Sequence, residues 1–343
     1  MRNLHIFDVS GVVYYGTTGS AASNIANTFR KFPIGGIKTL MSRLAMALAE
    51  NGDVLLAFDS RSFRKDLLDV YKGDRAPNRS VSAQLDFLYD QLAKAGVPVA
   101  KYDTYEADDI ISWAVKDYVS AYDYITICSN DHDVAHNVQN KVIMKPFSRN
   151  DAIISAINFE YTVQKGKRIQ FNTISAYKVF MGCSSDRIAV FKSAKYNSES
   201  LYRCFLNFLR EHNLDGNYGA TTDKKTLAIF INTSGLFTES EKEELYKRID
   251  LVYPAEKPAC ISLRPVNKNM LDLSSIAEIL IMCRDRASVK NLGVAYFDLS
   301  DSFLHLLDSY SQSLNSGAYS VDRNLEVDPS YELDSATFFL KEF

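Results

Sequence analysis

The chain has 343 residues, of which 46% are hydrophobic and 24% charged, which is typical of a folded protein of about two domains and excludes a disordered chain. No run of 18 uncharged apolar residues occurs, so we expect no membrane-spanning helix, and five cysteines without a CxxC pair favour a reduced, cytoplasmic compartment over a structural zinc site. The net charge of −3 is unevenly distributed, because residues 284–343 carry ten acidic and five basic side chains and residues 1–283 therefore carry +2. The overall negative charge thus does not exclude a nucleic acid as partner.

Predicted strands and helices alternate along the first half of the chain. In order they are a buried strand at 4–8, a polar loop at 9–35, a helix at 36–50, a strand at 54–59, a basic loop at 61–80, an amphipathic helix at 82–96, a strand at 97–102, a helix at 105–119, a strand at 124–133 and β-rich pieces from 142. From residue 172 the pattern is mostly helical. This order predicts an α/β fold with a central, mainly parallel sheet flanked by helices, followed by a mostly helical C-terminal region.

Acidic side chains follow several predicted strands. Asp8 and Asp59 end the first two strands, and Asp131 and Asp133 end a later one. Because the carboxyl ends of parallel strands meet at one edge of a sheet, we expect these acids to converge there. Further acids come from a helix that begins at the same edge and from the SSDR segment: Glu106, Asp108, Asp109 and Asp186. Carboxylates without a His/Cys cluster point to Mg²⁺ or Mn²⁺, and two such ions can activate water for phosphodiester cleavage.

Each acid taken alone has a simpler interpretation. Glu106 and Asp109 are favourable at a helix N-terminus, and Asp131 and Asp133 are common turn residues. Their joint occurrence, in order along a predicted parallel sheet, favours the metal site.

A basic stretch follows the second predicted strand. Its cations, with Phe63 and Tyr71 between them, are Arg61, Arg64, Lys65, Lys72, Arg75 and Arg79. Cations beside bound metal can hold phosphates, although a solvated loop is the alternative. Arg64 and Arg79 are therefore candidate nucleic-acid contacts. Tyr14 and Tyr15 are candidates for stacking on bases, with core packing as the alternative.

These motifs resemble the 5′-nuclease family, which comprises phage 5′-exonucleases, flap endonucleases and the N-terminal 5′-nuclease domain of bacterial DNA polymerase I. The matching pieces follow the family's order over residues 1–195: FDVSG (7–11), AFDS (57–60), FRKDLLDVYKGDR (63–75), YEADD (105–109), SNDHD (129–133) and MGCSSDRIAV (181–190). The specific signal is YKGDR followed some 30 residues later by EADD. Residues 236–254 resemble the distal segment of the T-even phage ribonuclease H type.

The resemblance implies a domain organisation and a set of residue roles. The domains would be a 5′-nuclease catalytic domain at 1–170 with a helical arch at about 61–96, a helical DNA-binding domain at 171–283 containing a helix-three-turn-helix, and an acidic extension at 284–343. One Mg²⁺ would be surrounded by Asp8, Asp59, Glu106, Asp108, Asp109 and Asp131. Asp133 and Asp186 would hold a second ion, with Mn²⁺ able to substitute. Lys72 and Arg75 would be catalytic, engaging the scissile phosphate.

The implied activity is a Mg²⁺-dependent 5′-3′ exonuclease and flap endonuclease acting on DNA and RNA/DNA hybrids, as in primer removal during phage replication. The expected partners are DNA with 5′ ends, flaps or RNA primers, with a single-stranded-DNA-binding protein or a sliding clamp as further candidates. We expect a monomer without membrane attachment, in the host cytoplasm if the source is viral.

Two positions depart from the family pattern. Cys183 stands where the family usually has Asp, which removes an acid near the second metal. The segment 189–197 lacks the glycines that let backbone N–H groups approach a phosphate, although Lys192 and Lys195 supply charge there and are candidate nucleic-acid contacts.

Three other functions stay in view. A catalytically weak DNA-junction binding protein of the same fold would explain Cys183. A haloacid dehalogenase-type phosphatase is suggested by FDVSGVV, but Ser10 occupies the place of its general acid. An RNA-cleaving PIN-type nuclease shares the acid-edged sheet but is usually shorter and lacks an arch-like insert.

Overall fold

The computed structural model describes most of the chain up to residue 265. The described residues are 2–18, 28–29, 32–33, 35–49, 52–73, 78–94, 97, 99–147, 153–155, 160–162, 168–214 and 223–265. Within them the strands are β1 Asn3–Asp8, β2 Thr28–Phe29, β3 Phe32–Pro33, β4 Asp53–Ala57, β5 Val99–Ala100, β6 Tyr124–Cys128, β7 Val142–Lys145, β8 Glu160–Thr162 and β9 Arg168–Gln170. The α-helices are α1 Val9–Thr18, α2 Gly35–Ala49, α3 Arg64–Leu67, α4 Arg79–Lys94, α5 Ala107–Tyr118, α6 Ile174–Met181, α7 Ser198–Glu211, α8 Lys224–Thr233 and α9 Glu239–Val252. The acidic extension at 284–343 lies outside the described residues, as does Arg75.

The chain divides into two compact units. Described residues within 1–58, 76–100 and 263–265 belong to the first, and those within 59–75 and 101–262 belong to the second. In the first unit β1 pairs with β4, and β4 with β5, all in parallel; in the second, β6 pairs with β7 in parallel. These pairings confirm the predicted α/β class with a mainly parallel sheet. The predicted domain boundaries stay a prediction.

Helix α1 occupies part of the segment predicted to be a loop. Its polar composition misled the prediction, but Val9, Val12, Val13 and Gly16 lie at helical spacing and are buried. At Gly16 a Cβ would lie 2.4 Å from Thr39 Oγ1, so glycine allows α1 to approach α2 closely.

Helix α4 confirms the predicted amphipathic helix and begins slightly earlier than predicted. Phe87 and Leu88 are fully buried on its apolar face. Gln84 lies among them, and its Oε1 accepts hydrogen bonds from the backbone N of Gly36 (2.8 Å) and of Ile37 (3.2 Å). Gln84 thereby satisfies N–H groups in the first turn of α2 that have no partner within that helix. The arch role of this region stays a prediction.

The second unit contains α5, the β6–β7 pair and a helical cluster. Helices α6 to α9 enclose an aromatic core in which Phe180, Phe205 and Phe230 are each almost completely buried. This confirms the mostly helical pattern predicted from residue 172. Helices α6 and α7 flank residues 182–197, as expected for a helix-three-turn-helix. No helix in the described part of the chain is long and apolar enough to cross a membrane.

Candidate nuclease site

The candidate site is built on the N-terminus of α5, where the predicted acidic helix start is confirmed. Asp109 Oδ2 accepts a hydrogen bond of 3.0 Å from the backbone N of Glu106, the residue that precedes the helix. Asp59 Oδ1 accepts one of 2.8 Å from the backbone N of Ala107. Carboxylates satisfy the free N–H groups and the positive end of a helix. Glu106 and Asp109 lie at this terminus because of the local sequence, and Asp59 reaches it from 48 positions upstream.

Arg64, the first residue of α3, is a buried cation behind this terminus. Its Nη1 donates to Glu106 Oε2 (3.0 Å), and its Nη2 donates to Asp109 Oδ1 (2.7 Å). Its remaining N–H groups bond to Asp109 Oδ2 and to the backbone O atoms of Leu251 and Tyr253. Burial acts to lower the pKa of Arg64, but the hydrogen bond and charge of Asp109 outweigh it and the pKa is raised. Arg64 is an internal counter-charge here, with all five donors used inside the protein.

Lys72 approaches the same carboxylate from the YKGDR motif. Its Nζ donates to Glu106 Oε1 at 2.5 Å, and Tyr71 OH donates to Glu106 Oε2 at 3.0 Å. Burial acts to lower the pKa of Lys72, but the negative charge of Glu106 outweighs burial and the pKa is raised. Burial acts to raise the pKa of Glu106, but the positive charges of Lys72 and Arg64 outweigh it and the pKa is lowered. The pair is therefore fully charged at neutral pH.

The backbone of Lys72 adopts a left-handed conformation with φ of 49°. A non-glycine residue pays a conformational cost there, and such costs are concentrated at functional sites. The backbone N of Lys72 donates to the backbone O of Asp186 at 3.4 Å, which joins the YKGDR motif to the segment that follows α6.

A second acidic group follows β6. Asp131 Oδ1 accepts a hydrogen bond of 2.9 Å from the backbone N of Asp133, at the start of the 3₁₀ helix His132–Asn137. Asp131 as a residue is exposed, but protein atoms surround its carboxyl group. This burial is the largest cause that raises the pKa of Asp131 to about 6, and the charge of Asp133 is the second. Asp133 itself forms an ion pair with Lys178 of α6.

Asp186 and Cys183 lie beyond α6. Cys183 and Ile188 pair through backbone hydrogen bonds of 2.8 and 2.9 Å, and the turn between them places Asp186 in a buried position. Cys183 Sγ donates to Asp186 Oδ2 at 3.1 Å, and burial raises the pKa of the thiol. A protonated thiol is a hydrogen-bond donor rather than a metal ligand.

A solvent-open cleft is lined by most of these charged groups. Its acidic and basic lining residues are Glu106, Asp108, Asp133, Asp186, Arg64, Lys72 and Lys178. Carboxylate oxygens are the donors that Mg²⁺ prefers, so the chemistry of this lining fits a hard divalent cation. In the described part of the chain, however, no three His, Cys, Asp or Glu side chains are arranged to hold a metal ion. The cationic side chains supply the counter-charge instead.

The other predicted site residues lie elsewhere. Asp8 ends β1 in the first unit, where it is buried and its Oδ1 accepts from the backbone N of Gly11 at 2.8 Å. Tyr14 is exposed on α1, Tyr15 is half-buried beside it, and Arg79 is exposed at the start of α4. Lys192 and Lys195 are exposed between α6 and α7. Their roles stay predictions.

Residues 3–165 match the family model of the 5′-3′ exonuclease N-terminal, resolvase-like domain. This segment belongs to that family. The resemblance proposed from the motifs is thereby confirmed, and the exonuclease domain contains every predicted site acid except Asp186.

Two relatives cover different shares of the chain. DNA polymerase I of Caldicellulosiruptor bescii is 24% identical over 257 residues, which is 71% of this chain and 28% of that protein. The 5′-3′ exonuclease of Buchnera aphidicola subsp. Baizongia pistaciae is 30% identical over 144 residues, which is 40% of this chain and 47% of that protein. The chain thus spans less than half of the length of either relative.

The T5 D15 protein co-crystallized with metal ions is a solved structure similar to this chain. It is 17% identical, with a TM-score of 0.48 over 92% of this chain and 99% of that one.

The exonuclease domain and the helical cluster also contribute groups that the motifs did not indicate. Lys178 lies on α6 and lines the cleft, and its position in the predicted helical pattern does not indicate this. His136 is held by Ser112 Oγ at 3.2 Å, and burial lowers its pKa. The sequence presents Tyr71 only as an aromatic residue among cations, whereas in the structure its hydroxyl bonds to Glu106. The adjacency of Tyr71 to Lys72 was the one signal available.

Proposed function

We propose that the chain is a Mg²⁺-dependent 5′-3′ exonuclease and flap endonuclease that hydrolyses phosphodiesters near free 5′ ends of DNA and of RNA/DNA hybrids, as in the removal of primers during phage replication. Its substrates would be nicked, flapped or RNA-primed duplexes. The proposal is supported by the family of residues 3–165 and by the acid-lined cleft that the YKGDR and YEADD motifs share.

The observation that carries the proposal is the ion pair between Lys72 and Glu106 inside this cleft. A lysine held at 21% exposure beside carboxylates is available to a phosphate but kept charged by its neighbours. When the scissile phosphate enters, the Lys72 ammonium can donate to its non-bridging oxygens and offset the charge that develops during hydrolysis. Arg64 then stays behind as the counter-charge of Glu106.

Asp108 and Asp131 are acids of this region that would hold Mg²⁺, with Asp8, Asp59 and Glu106 as further predicted ligands; Glu106 would offer Oε1 once Lys72 turns to the phosphate. When bound, the ion would activate a water molecule and stabilise the leaving oxygen. Asp109 keeps Arg64 and the α5 terminus in place through its four hydrogen bonds. The exposed lysines between α6 and α7 would hold the duplex by its backbone.

The test is an assay with 5′-labelled flap, nicked and RNA-primed duplexes, with Mg²⁺, with Mn²⁺ and with EDTA. We expect short 5′-phosphorylated products that need a divalent ion and a free 5′ end. Retarded migration of the duplex without cleavage would favour the junction-binding function. Hydrolysis of small phosphomonoesters with intact duplex would favour a phosphatase. Either result would reject the proposal.

A further inference from the structure

We propose that Lys178 is a built-in cation that takes the place of a second divalent ion between Asp133 and Asp186. The inference deepens the proposed nuclease function and concerns the part of the site for which the sequence predicts a second metal. It makes the cleft a one-ion site completed by an ammonium group.

The position of the ammonium is the first support. Lys178 Nζ forms an ion pair with Asp133 and lies 3.8 Å from Asp186 Oδ2, so one positive group stands between two carboxylates. Its side chain is only 16% exposed, and those of Asp133 and Asp186 are 30% and 10% exposed. Attraction between charges strengthens as water is excluded, so this arrangement is more than a surface ion pair.

The backbone that joins Lys178 to Asp186 is the second support. Gly182 follows the last residue of α6 and caps the helix, because its backbone N bonds to the backbone O of Lys178 at 2.8 Å. Gly182 has φ of 73°, and a Cβ there would lie 2.4 Å from Ile188 O. The end of α6 therefore leads directly into the turn that carries Asp186, which places Lys178 and that carboxylate on adjoining segments of backbone.

The chemistry of Cys183 is the third support. Residue 183 contributes a thiol that donates to Asp186 Oδ2, so it adds no further carboxylate to this group. With Lys178 counted, the group of Asp133, Asp186 and Lys178 has a net charge of −1. A divalent ion placed there would be repelled by the ammonium and would find one oxygen of Asp186 already engaged. The donors that remain do not fit a second Mg²⁺.

The test counts bound Mn²⁺ ions per full-length chain by electron paramagnetic resonance, without DNA, over a titration to millimolar Mn²⁺. The variant Lys178→Met/Cys183→Asp exchanges the ammonium for an additional carboxylate, and Lys178→Arg keeps the positive charge. We expect the double variant to bind one ion more than the wild-type chain, and Lys178→Arg to bind the same number as wild type.

Two results would overturn the inference. One is a wild-type chain that binds two Mn²⁺ ions with comparable affinity, which needs no variant and does not depend on the folding of one. The other is a folded double variant, judged by its circular dichroism, with the same count as wild type. Failure of the nuclease proposal gives a different result. A wild-type chain that binds no ion would argue against the first metal site, while the difference in ion count between the double variant and wild type still tests the role of Lys178.

Discussion

Arg64 and Asp109 form a two-pronged ion pair in the interior of the second unit, with Nη1–Oδ2 and Nη2–Oδ1 distances of 2.9 and 2.7 Å. The same guanidinium bonds to Glu106 and to the backbone at the end of α9. The pair therefore connects α3, the N-terminus of α5 and the C-terminus of α9. It fixes Glu106, which in turn holds Lys72.

Replacement of Arg64 by alanine should destabilise the protein strongly. The change leaves Asp109 as a buried carboxylate without its cation and leaves Glu106 with Lys72 alone. Loss of one partner of a buried ion pair lowers the free energy of unfolding by about 3–5 kcal/mol. Urea denaturation measures the loss. Arg61→Ala is the matched control, since the Arg61–Asp66 pair is exposed and its loss should cost less than about 1 kcal/mol. Equal effects of the two variants would contradict the role of Arg64.

Replacement of Gln84 by alanine should loosen α4 from α2. The two N–H groups at the start of α2 lose a buried acceptor, which costs about 1–3 kcal/mol. Thermal and urea denaturation report the change. Ser82→Ala removes only an exposed hydrogen bond to the backbone O of Asn78, the residue before the helix, and should alter stability by less than about 0.5 kcal/mol. A Gln84 variant as stable as the Ser82 variant would refute this account.

The raised pKa of Asp131 predicts a pH-dependent cost. Because its pKa is about 6 in the folded chain and 3.8 ordinarily, the folded state binds more protons between these values. The unfolding free energy then falls as pH rises through this window, and the cost is fully present above pH 6. In EDTA, Asp131→Asn should gain about 1 kcal/mol at pH 7.5 and nothing at pH 4, allowing for solvent around the carboxyl. The exposed Asp69→Asn is the control, and parallel stability profiles for wild type and Asp131→Asn would count against the assignment.

The same variant should lose activity. Asparagine keeps the oxygen that accepts from the backbone N of Asp133 but removes the negative charge at Asp131. We expect cleavage of the 5′-flap duplex to fall below detection while duplex binding stays near the wild-type level. Gel retardation and product analysis on the same samples separate the two. Near-normal turnover would remove Asp131 from the mechanism.

Local patterns in the sequence were sufficient for the framework of the fold. Apolar strands followed by acids, and a helix that opens with YEADD, predict β1, β4, β6 and α5 because each signal lies within about ten residues. The polar segment after β1 was misread, since its buried valines recur at helical spacing within otherwise loop-like composition. Periodicity was the better guide there than composition.

The partners of the site residues were beyond sequence reasoning. Arg64 bonds to the backbone of Leu251, 187 positions away, and Lys178 pairs with Asp133, 45 positions away. Such pairs depend on how whole helices and strands pack against one another. From the sequence alone, a basic residue in a motif is equally consistent with an internal ion pair and with an exposed contact to phosphate. The sequence therefore predicted a set of candidate acids but not the internal cations that lie among them.

The most direct test of the central claim is the single-turnover cleavage rate of Lys72→Ala on a 5′-flap duplex at saturating enzyme and Mg²⁺. Loss of one charge-stabilising donor should lower the rate by about 10²–10³-fold. Lys116→Ala, an exposed lysine in the last turn of α5, should cleave at the wild-type rate. A Lys72→Ala rate equal to that of wild type would place this cleft off the reaction path and contradict the proposed function.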